Sequence, residues 1–421
     1  MITRRTRKDA GRRARRRANE GVAPLCSRHG RTDLMSNHAS GQRIVVVGAG
    51  IVGLSFAWSA AERGAHVTVF ERHDVAAGAS IRNFGMIWPI GQPSGELHRI
   101  ATAARGRWGL LADRGACWLA PCGSVHAAHH DDEWAVLQEF AASAPEAGID
   151  CRLLGPEATL ASAPGVNPRG LRGSLHSSAE ACVNPRRAIA ALASWLSTER
   201  GVRIEFGRTV AGFDGGEAVL AGGERCPFDL AVVCGGADID SIFPGLHASL
   251  DLRRCKLQML KTVPQPGAWR LGPHVASGLT LRHYRSFDRC PSLPTLKARI
   301  ASTKPELDRL GIHVMASQHD DGGVVLGDSH EYDADVDAFD KPLIDDLILR
   351  ELREVIAIPD WTIASRWHGV YSKHPTRPWV EAEPLEGVKV VTGLGGNGMS
   401  LSPGLAEHLM RQWTGPVHAA G

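Results

Sequence analysis

The stretch Arg43-Ile44-Val45-Val46-Val47-Gly48-Ala49-Gly50-Ile51-Val52-Gly53-Leu54, running on through Arg63-Gly64 to His66-Val67-Thr68-Val69-Phe70-Glu71, decides how this 421-residue chain is read. Ile44 to Val47 are four consecutive apolar residues, which fits a strand covered on both faces. Gly48-x-Gly50-x-x-Gly53 follows at once and leads into a helix-compatible run ending near Arg63. Gly48 permits the tight turn, Gly50 lets a pyrophosphate approach the backbone, and Gly53 lets helix and strand pack closely. Ile51 and Val52 open the helix, whose free N–H groups suit phosphate oxygens. The second strand, His66 to Phe70, ends in Glu71, placed to accept hydrogen bonds from a ribose hydroxyl, with Arg72 beside it. The glycines alone are a weak signal, but strand, spacing, the Gly64 turn and the terminal acid agree on a dinucleotide site.

Composition narrows the class. The length suggests two domains with ample core, and a hydrophobic content of 43% is that of a globular protein. No apolar run approaches the ~20 residues that span a bilayer, so no integral membrane segment is expected. The net charge of +3 is uneven: residues 1–34 hold ten Arg and one Lys against two Asp and one Glu, a surplus of eight, leaving −5 for the rest. The arginines have no apolar run behind them, so no secretory or twin-arginine signal is expected. A disordered, solvated tail over residues 1–40, or an upstream start with Met35 the natural one, is favoured over a nucleic-acid arm. Nine cysteines without a C-x-x-C pair read as reduced thiols in a cytoplasmic protein, and no metal site is expected.

Downstream, Gly78-Ala79-Ser80-Ile81-Arg82-Asn83-Phe84-Gly85-Met86-Ile87-Trp88 suits a backbone threading past a flat ligand. Helices are expected at 98–114, 131–143, 187–199, 295–309 and 340–357, and a strand over Cys117 to Ala127. A buried strand from Asp229 ends in Gly235-Gly236. From Arg253 the pattern turns to strands in series, at Arg253–Leu260, Gly278–Tyr284, Gly311–Gln318 and Gly323–His330, which argues for a mostly antiparallel sheet. Near the end, Gly393-Leu394-Gly395-Gly396-Asn397-Gly398-Met399 precedes a helix expected from Gly404. Such a loop offers N–H groups and a positive dipole end.

These segments resemble the glycine and D-amino-acid oxidase superfamily of FAD enzymes. In that superfamily the segment after the second strand runs along the isoalloxazine, and the last glycine-rich loop meets the flavin pyrimidine. The resemblance implies noncovalent FAD held by Gly48, Gly50, Ile51, Val52, Gly53, Glu71, Arg72, Ser80, Arg82, Asn83, Phe84, Gly85, Gly235, Gly395, Gly396, Asn397, Gly398 and Met399. The implied class is α/β plus α+β: a Rossmann-like FAD-binding domain of the glutathione-reductase type, with a second, mostly antiparallel substrate domain. The first would comprise residues 41–114, 181–247 and 366–421, and the second 115–180 and 248–365. Covalent-flavin sarcosine oxidases carry a cysteine before the last strand, whereas here no cysteine follows Cys290.

Arg82-Asn-Phe-Gly-Met-Ile-Trp-Pro, Arg254-Cys-Lys-Leu-Gln-Met-Leu, Leu279-Thr-Leu-Arg-His-Tyr, Gly327-Asp-Ser-His-Glu-Tyr and Trp367-His-Gly-Val-Tyr-Ser-Lys-His-Pro are similar to a bacterial subfamily associated with aminophosphonate utilisation. That similarity implies oxidative deamination or N-dealkylation of a small anionic amine, with O2 or another acceptor reoxidising the flavin. On strand geometry Arg282 and Tyr284 share one side and suit the anionic end of such a donor, while Lys256 shares a side with Gln258 and His313 with Met315. His330, Lys373 and His374 are candidates of second rank, and Trp88, Trp367 and Tyr371 are candidate walls. A glycine, sarcosine or D-amino-acid oxidase or dehydrogenase is the alternative. A nucleic-acid-associated flavoprotein is the reading from another class; no nucleic-acid partner is expected.

Overall fold

The computed structural model describes residues 41–415, so the reading of 1–40 as a disordered tail lies outside the described residues. Arg43–Val47 sits inside a six-stranded sheet, between Leu230–Val233 and His66–Phe70 and parallel to both. Arg203–Glu205 closes one edge, while Val388–Thr392 and Val380–Leu385 extend the other, the last pair being antiparallel. Burial on both faces accounts for the unalternating apolar run. Ile44 and Val46 pack with Leu54, Phe56 and Trp58 of the helix Ile51–Glu62, whereas Val45 packs on the opposite face with Phe70, Ala231 and Val388.

A second, nine-stranded sheet is antiparallel at every pairing except that of His274–Ser277 with Ser124–Ala128. Its longest strand, Arg253–Pro264, pairs with Gly323–Gly327, Glu331–Asp333 and Ile363–Lys373. Helices Asp131–Ser143, Leu293–Thr303 and Pro342–Val355 bury apolar stripes in the same core as this sheet.

Several boundaries differ from the sequence reading. Gly278–Tyr284 is not a strand: Gly278–Arg282 is a 3-10 turn, in which Thr280 Oγ1 donates to Ser277 O at 2.6 Å and the His283 N–H to Thr280 O. The apolar alternation there reflects Leu279 and Leu281 reaching into the core from a turn. The strand expected from Gly311 begins only at Met315, and that from Gly323 ends at Gly327. The helix at 295–309 is split, with Pro305 starting a second one, Pro305–Arg309. Cys117 to Ala127 is broken into Leu119–Ala120 and Ser124–Ala128. The last helix runs Gly398–Thr414, six residues earlier than the sequence suggests. Pro403 lies inside it, and the carbonyl left without an N–H partner, that of Met399, accepts from Trp108 Nε1 at 3.0 Å instead.

Candidate active site

A cavity of about 660 Å³ collects residues from both sheets. Its first part is built by the opening motif. Gly48 sits at φ +102 with its backbone against Cys234 O, and a Cβ at Gly53 would lie 1.9 Å from Gly48 O, so only glycine allows the helix to start so close to the strand. Gly53 therefore packs the turn and does not line the cavity, which Gly48, Gly50, Ile51 and Val52 do. The buried Glu71 carboxylate accepts the Ala49 N–H at 2.9 Å and the His73 N–H at 3.1 Å, and it borders the cavity with lone pairs to spare. Arg72 borders it too and is paired with Asp238 at 2.5 Å.

Ser80, Arg82, Asn83 and Phe84 line the next part. Ser80 Oγ accepts the Ile51 N–H at 2.9 Å, so this hydroxyl caps the first helix from outside its own sequence. Asn83 braces the segment, donating to Ala79 O and Ser80 O and accepting the Gly85 N–H at 2.8 Å. Gly85 itself lies behind the wall, its backbone against Val183 O. Gly235 and Gly395 to Met399 complete this region, and with them a second helix N-terminus reaches the same cavity. Two positive dipole ends, a buried acid with free acceptors and glycine-lined backbone fit a dinucleotide.

The rest of the lining includes Leu257, Met259, His283, Tyr284, His313, Asp328, His330, Tyr371, Lys373 and His374, with Tyr371 and Lys373 against Gly396 and Gly395. The presence of Leu257 and Met259 here keeps the alternation expected of this strand but reverses its face. Lys256 points away from the cavity, is 1% exposed, donates to Asp337 O at 2.8 Å and to Phe339 O, and pairs with Asp340 at 3.0 Å. Arg282 is likewise turned away: it pairs with Asp308, donates to Ile312 O at 2.7 Å, and borders a separate surface recess with Lys297 and Ala298. Burial brings its guanidinium down to about 10. The 3-10 turn explains this, since it sends Arg282 and Tyr284 to different sides. Tyr284 faces the cavity, its hydroxyl 3.6 Å from Met315 Sδ and its pKa raised by burial.

His313 and His330 border the cavity and are joined by two residues that sequence reasoning passed over, His283 and Asp328. The three rings lie 3.9 to 4.9 Å apart, centroid to centroid. Asp328 Oδ1 is 3.5 Å from His313 Nε2, and Oδ2 is 3.8 Å from His330 Nε2. Burial keeps the imidazoles neutral, bringing His330 to about 3 and His283 and His313 well below their usual value, and pushes the Asp328 carboxyl well up. Among the described residues neither ring nitrogen of His313 has a hydrogen-bond partner, nor has Asp328 Oδ1, while His330 Nδ1 bonds Gly311 O at 3.2 Å. Sequence spacing had no means of finding this group, because 283, 313, 328 and 330 converge only through the turn and the sheet. The one available sign was Arg-His-Tyr beside Gly-Asp-Ser-His in the segments quoted above. Lys373 Nζ donates to Tyr332 OH at 3.1 Å, and burial lowers its pKa. His374 Nδ1 accepts N–H bonds from Thr376 and Arg377, which fixes its ring. Trp367 borders the segment at Arg82, donating Nε1 to Arg82 O at 3.3 Å.

A parallel sheet with two helix ends and a buried acid on one cavity, next to an antiparallel sheet that closes it with polar groups, defines a dinucleotide-dependent oxidoreductase. The sequence model of the family described as "DAO: FAD dependent oxidoreductase" matches residues 43–412, and the chain belongs to that family. Glycine oxidase from Bacillus cereus ATCC 14579 superposes with a TM-score of 0.71 at 17% identity, covering 89% of this chain and 95% of that one. Dithionite-reduced L-alpha-glycerophosphate oxidase from Mycoplasma pneumoniae, with FAD bound, gives 0.67 at 17%, covering 89% and 95%. At these identities the likeness shows the fold. Among curated relatives, one component of the anaerobic glycerol-3-phosphate dehydrogenase of Escherichia coli (strain K12) is 28% identical over 130 residues, 30% of this chain and 23% of the relative. The chain thus spans about a quarter of the length of the curated relatives it matches. No described helix is long and apolar enough to cross a membrane.

Proposed function

We propose that this FAD-dependent oxidoreductase oxidises a small anionic amine, an aminophosphonate such as 2-aminoethylphosphonate or its N-alkyl form, giving an imine that water hydrolyses. The flavin, when bound without a covalent link, supplies the two-electron acceptor for the hydride on the carbon bearing nitrogen. On this reading the six-stranded sheet carries the cofactor and the nine-stranded sheet the donor. The observation that carries it is the polar end of the cavity. Tyr284, His283, His313, Asp328, His330 and Lys373 border the same space as the loop from Gly395 to Met399, so a short donor held there lies against the cofactor.

The protein's own part is binding and proton placement. The low polarity that keeps these imidazoles neutral also favours an amine that has shed its proton before oxidation. Lys373 takes the place that the sequence suggests for Arg282, as the cation for the donor's anionic end. Apolar Leu257, Met259 and Phe84 border the cavity beside these groups and limit water there.

Glycine oxidase and glycerophosphate oxidase share this fold, so the fold leaves the donor open. A single ammonium suits a carboxylate, which favours the amino-acid alternative unless a second cation is present. The test is a donor panel, run aerobically and with an artificial acceptor: 2-aminoethylphosphonate and its carboxylate analogue β-alanine, the N-methyl form of each, glycine, sarcosine, a D-amino acid and glycerol 3-phosphate. Turnover of the phosphonates above their carboxylate analogues is expected. Turnover of glycerol 3-phosphate alone would remove the amine reading.

A further inference from the structure

The donor end of the cavity contains more hydrogen-bond acceptors than the protein satisfies. His313 is 3% exposed, Asp328 5% and His330 7%, while His283 is half-buried at the end of the 3-10 turn. One ligand atom from each of the three histidines can be chosen so that all lie within 4.8 Å of one another. The Asp328 carboxylate spans two of them, one oxygen towards each of His313 and His330. His330 already has its Nδ1 on Gly311 O, which fixes the tautomer that leaves Nε2 with a free lone pair. Both nitrogens of His313 and Oδ1 of Asp328 are buried without a hydrogen-bond partner among the described residues. Each such atom is costly when left unpaired.

We propose that His283, His313 and His330, with Asp328, bind one divalent transition-metal ion at the donor end of the cavity. A single cation at the centre engages all four side chains at once, displacing the Asp328 proton as it binds. Imidazole nitrogen with one carboxylate oxygen suits Zn2+ and its first-row neighbours and does not suit Mg2+ or Ca2+, which take oxygen ligands. Metal–nitrogen bonds of about 2.0–2.1 Å put tetrahedral ligand atoms about 3.3 Å apart, so the group must contract by up to about 1.5 Å. No side-chain hydrogen bond among the described residues holds His283 or His313 against that rotation. The site opens on the cavity, so a coordination position remains for the donor.

The ion also supplies what the aminophosphonate reading lacks. A phosphonate carries up to two charges, and with Lys256 and Arg282 turned away a second cation beside Lys373 is needed. Tyr332 links the two places, its hydroxyl accepting from Lys373 Nζ and its ring stacked on His330 at 6.2 Å. This role in holding the anion rests on the function proposed above, whereas metal binding does not.

The experiment is equilibrium dialysis of the FAD-loaded protein against Zn2+, with Mg2+ in parallel, metal and FAD being quantified on the same samples. One Zn2+ per chain is expected, with no Mg2+ uptake. His313→Ala and, separately, His283→Ala are each expected to weaken Zn2+ binding by about 100-fold or more with FAD content unchanged. If His313→Ala does not retain FAD, the half-buried His283 decides. Absence of uptake, or uptake that both substitutions leave intact and that belongs therefore to cysteines or surface histidines, overturns the proposal. Zn2+ is further expected to lower KM for an aminophosphonate more than for its carboxylate analogue. An equal effect on both overturns the anion-holding role, and failure to oxidise any amine in a protein that binds Zn2+ places the error in the donor.

Discussion

Lys373 and Arg282 separate two accounts of how a negatively charged donor is held. Lys373 borders the cavity, is half-buried and among the described residues donates only to a phenol, so its ammonium is free to meet an anion. Removing a hydrogen bond to a charged group costs about 1.5–3 kcal/mol, so Lys373→Met is expected to lower kcat/KM for an anionic amine by about 10- to 150-fold, mostly through KM, with FAD retained. Arg282 is spent on Asp308 and Ile312 O outside the cavity. Arg282→Met is therefore expected to leave KM within about threefold while lowering stability by about 1–3 kcal/mol, read from denaturant unfolding. A large KM change in the Arg282 variant with none in Lys373→Met would return Arg282 to the donor site. Glu71→Ala removes the acceptor facing the cavity and orphans the Ala49 N–H. FAD affinity, followed by fluorescence on dilution, is expected to drop by about one to two powers of ten. Unchanged affinity would show that Glu71 does not meet the ribose.

Among the elements, the two helices that end on the cavity are also tied to each other. Arg63, which caps the C-terminal end of Ile51–Glu62, donates to Ser59 O at 2.8 Å and to Glu407 of Gly398–Thr414 at 2.9 Å. The arginine side chain is 3% exposed, the glutamate 36%. Burial alone would raise the Glu407 carboxyl, but the hydrogen bonds and charge of Arg63, with Arg107 and Arg411, hold it below its ordinary value. A carboxyl depressed in the folded state stabilises above its unfolded pKa, and this contribution is lost as pH falls through the folded value. Glu407→Gln is expected to cost about 1–2 kcal/mol near neutrality, discounted for the exposed glutamate, and to cost less on acidification below the ordinary carboxylate range. A cost unchanged between neutral and acid pH would show that the pair is not what links the helices.

Legibility in the sequence followed the range of the interactions. The strand–turn–helix from Arg43 to Glu62 was readable because its glycines, apolar run and acid act within the segment or on a ligand beside it. The helix Asp131–Ser143 was readable from its acidic first turn and apolar period. Gly278–Arg282 was not, since its alternating leucines copy a strand while Thr280 closes a turn onto Ser277. Lys256 kept its strand but pointed to the other face, a choice set by the loop carbonyls of Asp337 and Phe339. The group formed by His283, His313, Asp328 and His330 is tertiary in origin and has no local signature.

In the whole molecule the cofactor region and the polar end belong to one cavity, bordered by residues from Val47 to Met399. On the function proposed above, the donor's carbon–nitrogen bond lies between the two. The measurement that tests this most directly is anaerobic mixing of the FAD-loaded protein with 2-aminoethylphosphonate or its N-methyl form, and with the carboxylate analogues of each, following the loss of oxidised-flavin absorbance in single turnovers. A saturable reduction by the phosphonate that outpaces its carboxylate analogue, with aldehyde released on quenching, is the expected result. Flavin that no amine reduces, though the protein holds FAD at one per chain, would contradict the account.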